Sequence, residues 1–262
     1  TDSNACQSEI EMTITRPRLL ITLALAPLAL AACKEAANTS ATSAPTGEAV
    51  AAVPPPAGQA WTDVIAATPD GGMLMGNPNA PIKLLEYGSL TCPHCANLAK
   101  QAMGPLMKDY VASGKVSFEF RSFAIHPQDV PLTVLVRCAP KEAFFPLVEQ
   151  IYGNFDAMNA VYQDQARLAQ AEAAMQLPPA QRWAAFSDAV GYTDFFSARG
   201  IAKDQAHACL ADLNKASLVA DQAKKYGDLG ISSTPSLFLN GSKIDAAEWP
   251  GVEAALKAAG AR

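Results

Sequence analysis

The sequence predicts an α/β fold: a strand–helix–strand unit and a closing β-hairpin with its helix, separated by a large all-helical insertion. Three observations predict it. IKLLEYG (82–88) and VSFEFRSF (116–123) read as strands on either side of a segment with helical spacing. Residues 127–226 then turn to Ala, Leu, Gln and Glu, with apolar positions three and four apart. Strand character returns in TPSLFLNGSKI (234–244), where Asn240-Gly241 is a strong two-residue hairpin signal.

Residues 1–11 carry no initiating Met and no apolar pattern, so they read as upstream residues, and Cys6 is set aside with them. Residues 12–32 carry a basic start (Arg16, Arg18) and an apolar stretch from Leu19 to Leu30, the pattern of an export signal. That stretch is shorter than the roughly 20 residues a spanning helix needs. Its end, LAAC, resembles a bacterial lipobox, which implies cleavage before Cys33 and lipidation of Cys33. Residues 33–60 are rich in Ala, Pro, Ser and Thr, with almost no large apolar side chain before Trp61. Such a segment cannot bury enough surface to offset its conformational entropy, so it is expected to be a disordered tether.

What remains, about 200 residues, is enough for one domain with a large insertion. Residues 61–126 and 227–262 form its two halves, and 127–226 the insertion. IKLLEYG follows the turn-rich GNPNAP and reads as a buried strand. ANLAKQAMGPLMKDYVAS continues as a helix that Gly104-Pro105 should kink or break. VSFEFRSF alternates and completes a crossover unit of the kind that builds a parallel strand pair. EAFFPLVEQIYGNF, AVYQDQARLAQAEAAM and PAQRWAAFSDAVG show helical periodicity, and EWPGVEAALKAAG closes with a helix. Across the chain, 20 Lys and Arg face 25 Asp and Glu. With no basic run, nucleic acid is not an expected partner.

The chemistry lies in SLTCPHCANLAKQ (89–101). Six cysteines are present; with Cys6 set aside and Cys33 assigned to lipid, Cys92, Cys95, Cys138 and Cys209 remain. An even number of thiols in an exported chain invites disulfides. A haem site would need His directly after Cys95, and residue 96 is Ala. A structural zinc site usually needs four ligands, and no second CxxC or His pair accompanies this one. A structural disulfide across so small a loop would stabilise little. A redox dithiol fits better, because a strand delivers the first cysteine to a helix start. There, unpaired N–H groups and the helix dipole favour a thiolate at Cys92. Pro93 sits where its missing N–H costs nothing, and His94 places a potential donor beside the sulfur. Cys95, deeper in the helix, would resolve mixed disulfides.

EYGSLTCPHC, the helical insertion and STPSLFLNG together resemble the DsbA family of thioredoxin-fold disulfide oxidoreductases, over about residues 72–260. The resemblance implies a thioredoxin fold and an acidic first cysteine, Cys92. It implies that Pro235 is cis and faces the cysteines, and that the Thr234 backbone pairs with a bound substrate strand. It implies that Glu86 is a buried acid near the resolving sulfur, able to take the Cys95 proton. The sequence departs from the best-known pattern in two places. Thr234 stands where Val is common, and VSFEFRSF has no lysine to pair with Glu86, leaving Arg121 or Glu119 for that electrostatic role. Cys138 and Cys209 look similar to a second disulfide that some members carry; two buried free thiols are the alternative. His126 and His207 have no partner identifiable from sequence.

The expected protein is a periplasmic, lipid-anchored, monomeric disulfide oxidoreductase acting on exported proteins with free thiols. It would use no cofactor or metal beyond its redox-active disulfide. A membrane partner, such as a DsbB-like quinone reductase, would reoxidise it; an electron donor would replace that partner if the chain ran as a reductase. The alternatives are a reductase or isomerase of the same fold, and a non-enzymatic holdase or metal-binding lipoprotein.

Overall fold

The computed structural model describes residues 47–262. Residues 1–11 with Cys6, the signal segment 12–32 and Cys33 lie outside the described residues. The expected tether falls partly within them, and there it is tied down. Gly47 N–H donates to Ala258 O (2.8 Å), Val50 N–H to Gly260 O (2.9 Å) and Val53 N–H to Ser113 O (3.0 Å). The Trp61 indole donates to Val53 O at 2.7 Å. The apolar content of this segment predicts no such contacts. They arise because the last carbonyls of a helix lack partners inside it, and backbone N–H groups can supply them whatever the side chains.

Among the described residues, six strands form one sheet: β1 (Ile65–Ala67), β2 (Met73–Gly76), β3 (Ile82–Gly88), β4 (Val116–Ser122), β5 (Ser236–Leu239) and β6 (Ser242–Ile244), in the order β1-β2-β4-β3-β5-β6. β3 and β4 pair parallel, as the crossover unit requires, and every other pair is antiparallel. The hairpin β1–β2 has no counterpart in the sequence reading. Its strands are three and four residues long, too short for alternation to register. The β5–β6 turn falls at Asn240-Gly241, both with positive φ (50° and 82°), which matches the right-handed twist of the flanking strands.

The crossover between β3 and β4 is α1 (Pro93–Pro105), which passes through Pro105 into a wider π-type turn over Leu106–Val111. After Pro105 the helix widens, where a kink or a break was expected. α1 buries Cys95, Ala96, Leu98 and Ala102 against the sheet. Between β4 and β5 run α2 (Asp129–Cys138), α3 (Phe144–Gly153), α4 (Phe155–Ala160), α5 (Gln165–Ala174), α6 (Pro179–Val190), α7 (Tyr192–Ser197), α8 (Lys203–Ala211) and α9 (Leu213–Asp228). Phe144 and Phe145 of α3 meet Phe120 and Phe118 of β4, with ring centroids 6.2 and 5.7 Å apart. These rings join the insertion and the sheet into one core. Cys138 and Cys209 are bonded, tying α2 to α8 across 71 positions. α10 (Trp249–Ala258) closes the chain. Among the described residues, no helix is long and apolar enough to cross a membrane.

Candidate active site

β3 is buried along most of its length and delivers the chain to the loop Ser89–Thr91. Cys92 then caps α1 with extended backbone angles (φ −88°, ψ 123°), and Pro93 takes the first helical position. Both cysteines are free and buried, whereas Pro93 and His94 are exposed. Across from them the Thr234–Pro235 peptide is cis, and the Cys92 thiol donates to Thr234 O at 3.4 Å. The site therefore joins the start of α1 to the loop that opens β5.

The two sulfurs are made unlike by their surroundings. The Cys92 pKa is pulled down to about 5, chiefly because the Cys95 thiol hydrogen-bonds to its sulfur. The Thr234 side chain and the backbone N–H groups of Cys95 and His94 add to this, and burial opposes it. The Thr234 hydroxyl is buried and otherwise unpartnered. Cys95 is fully buried, and its pKa is pushed far up by burial, then by its bond to Cys92 and the charge of Glu86. One sulfur is a stable thiolate and the other a stable thiol.

Glu86 lies beneath the pair, 7% exposed. It borders a narrow, mostly apolar cavity lined by Leu84, Leu98, Leu237 and Trp249. Burial, and secondarily the Cys92 thiolate, raise its pKa to about 8. Neither Arg121 nor Glu119 serves it. Phe120 is the β4 residue in register with Glu86, and neighbours along a strand point to the opposite face. Arg121 instead donates to Glu119 (2.7 Å), Asp70 (3.1 Å) and the Tyr87 hydroxyl (3.0 Å). The carboxyl is tuned by burial, with no basic partner among the ion pairs of the described residues.

A second polar cluster, invisible in the sequence, flanks Cys92. Asp129 at the start of α2 is buried and accepts hydrogen bonds from Ser89 Oγ and from the N–H groups of Thr91, Ile125 and His126. Thr91 Oγ1 lies 2.9 Å from His126 Nδ1, so His126 has a partner after all. His207 also has one, with Nε2 2.9 Å from Asp188. Asp129 is the first residue of α2, after a Gln128 cap that makes no side-chain bond, so no capping-box pattern marks it in the sequence. Among the described residues, no group of three or more His, Cys, Asp or Glu is arranged to hold a metal.

A cysteine pair at a helix start, facing a cis-proline loop beside a parallel strand pair, defines a thioredoxin-fold dithiol–disulfide site. The chain belongs to the thioredoxin family, whose model, described as Thioredoxin, matches residues 68–258. A Rickettsia prowazekii protein provisionally named protein-disulfide oxidoreductase is 26% identical over 177 residues, 67% of this chain and 57% of that protein. The chain thus spans little more than half the length of that curated relative. The crystal structure of protein-disulfide isomerase from Novosphingobium aromaticivorans superposes with a TM-score of 0.66 at 26% identity, covering 72% of this chain and 97% of that one. The alpha-DsbA1 of Wolbachia pipientis shares the fold (TM-score 0.51, 23% identity, 63% of this chain and 73% of that one). The resemblance read from CPHC, the insertion and STPSLFLNG is borne out at the level of family and fold.

Proposed function

We propose that the chain is a thiol–disulfide oxidoreductase that donates the Cys92–Cys95 disulfide to exported proteins. The observation that carries this is the inequality of the sulfurs: Cys92 is an acidic thiolate at the start of α1, and Cys95 is a buried thiol. A stabilised Cys92 thiolate favours the reduced pair and so makes the disulfide an oxidant. A substrate thiolate attacks Cys92 Sγ of the oxidised pair and breaks the S–S bond, and the Cys95 sulfur leaves with the electron pair and takes a proton from Glu86. A second substrate thiolate then attacks the substrate sulfur of the mixed disulfide. The substrate gains one disulfide, and Cys92 departs as the thiolate its surroundings favour. Thr234 O, already within reach of the site, would accept a hydrogen bond from an extended substrate strand, with Pro235 shaping the contact.

The export pattern and the lipobox resemblance support a periplasmic protein held to a membrane through Cys33. A membrane-bound oxidant, such as a quinone-linked one, would then regenerate the disulfide. A second reading is isomerisation, favoured by the name of the Novosphingobium protein. The equilibrium redox potential of the pair against glutathione tests the direction. A value well above about −180 mV supports a disulfide donor, and one near about −270 mV overturns it in favour of a reductant.

A further inference from the structure

Asp129 begins α2, but its carboxylate serves more than its own helix. One oxygen accepts from Thr91 N–H and Ser89 Oγ, both at 3.0 Å. The other accepts from Ser89 Oγ at 2.9 Å, His126 N–H at 3.0 Å and Ile125 N–H at 3.1 Å. Clamping the helix entry would need only the Ile125 and His126 bonds. The bonds to Ser89 and Thr91 reach 40 and 38 positions back, to the loop that ends at Cys92. Every group facing the carboxylate is a donor, so only an acceptor with no hydrogen of its own satisfies them all. The contact between Thr91 Oγ1 and His126 Nδ1 closes the ring. The Tyr152 hydroxyl of α3 pins the same loop through Ser89 O at 3.0 Å.

We propose that Asp129 is a positioning residue for the disulfide exchange, holding Thr91 and therefore Cys92 at the start of α1 and opposite Thr234. The helical insertion then sets the reactivity of the pair through the first residue of its first helix. The inference rests on the function proposed above. Its physical basis is that reacting groups tolerate little misplacement, and a shift of about 1 Å costs on the order of a hundredfold in rate.

The test uses the whole chain in three forms: wild type, Asp129→Asn and Ser89→Ala. Asp129→Asn replaces one acceptor oxygen by an NH₂ group that faces N–H donors. Ser89→Ala leaves the carboxylate and the Thr91 bond in place and removes only the hydroxyl. Three quantities are read: the rate at which the oxidised protein forms a mixed disulfide with a thiol peptide, the thiolate titration of Cys92 by ultraviolet absorbance, and the urea midpoint. Asp129→Asn is expected to slow attack roughly ten- to a hundredfold and to move the Cys92 titration upward. Ser89→Ala should change both in the same direction by less. If both variants titrate and react as wild type and only the urea midpoint falls, Asp129 is a helix clamp alone and the proposal is overturned. If Asp129→Asn does not fold, Ser89→Ala decides, and wild-type behaviour there overturns it. The titration needs no turnover, so an inactive wild type would defeat the proposed function while leaving the positioning role open to measurement.

Discussion

At the scale of the residue, the contrast between Cys92 and Cys95 predicts a specific alkylation profile. The reduced protein should react with iodoacetamide at one sulfur, Cys92, with the rate levelling off just above pH 5, where the thiolate is fully formed. A single inflection above pH 8 would contradict it. Glu86 and Cys92 pull the pH dependence of stability in opposite directions. The native Glu86 carboxyl holds its proton up to about pH 8, against an ordinary value of 4.5. Stability is therefore lost as pH rises through that window. Cys92 ionises in the native state near pH 5, against an ordinary 9.0, and so adds stability as pH rises between those values. The disulfide form has no Cys92 proton to exchange, so oxidised protein should lose the Cys92 contribution and keep the part of the Glu86 contribution that burial causes. Glu86→Gln should flatten the remaining slope, read as urea midpoints across pH, and should slow formation of the mixed disulfide, the step in which Glu86 protonates the departing Cys95 sulfur. An unchanged slope in the variant would remove Glu86 from the account.

At the scale of the element, most of the site's framework was legible. The alternation of VSFEFRSF and the apolar run IKLLEYG marked β4 and β3, and the cysteine spacing after β3 located the start of α1. Pro93 in the first turn and Asn240-Gly241 are local rules with local causes, so they survived folding unchanged. What escaped notice depends on contacts distant in sequence. The β1–β2 hairpin is too short to show a period and exists because β2 pairs with β4. Asp129 gains its partners only when the loops after β3 and β4 are brought together. Gly88, the last residue of β3, is another such case. A Cβ there would meet the Phe120 ring and come within 2.9 Å of Glu86 Oε1. Gly88→Ala is therefore expected to cost about 1–3 kcal/mol by overpacking, seen as a lower urea midpoint, and to disturb the Glu86 titration along with it. A variant as stable as wild type would show that Phe120 can yield.

At the scale of the whole molecule, the 71-position link between Cys138 and Cys209 closes a loop comprising most of the insertion. In the chain-entropy account such closure contributes about 4 kcal/mol. The double variant Cys138→Ala/Cys209→Ala should lose stability of that order by urea unfolding, while Cys92 and Cys95 still cycle between dithiol and disulfide. Loss of cycling would mean that the second bridge takes part in the chemistry. The site has a longer span still. Cys92 meets Thr234 across 142 positions, with the entire insertion between them. A ribosome makes the cysteine motif well before the proline loop. Until that loop has emerged and docked, Cys92 lacks the neighbour opposite it and half of its reaction surface. The newborn chain therefore carries its cysteines before the exchange centre is complete, and the reaction surface exists only once the insertion has folded and brought Thr234 to Cys92.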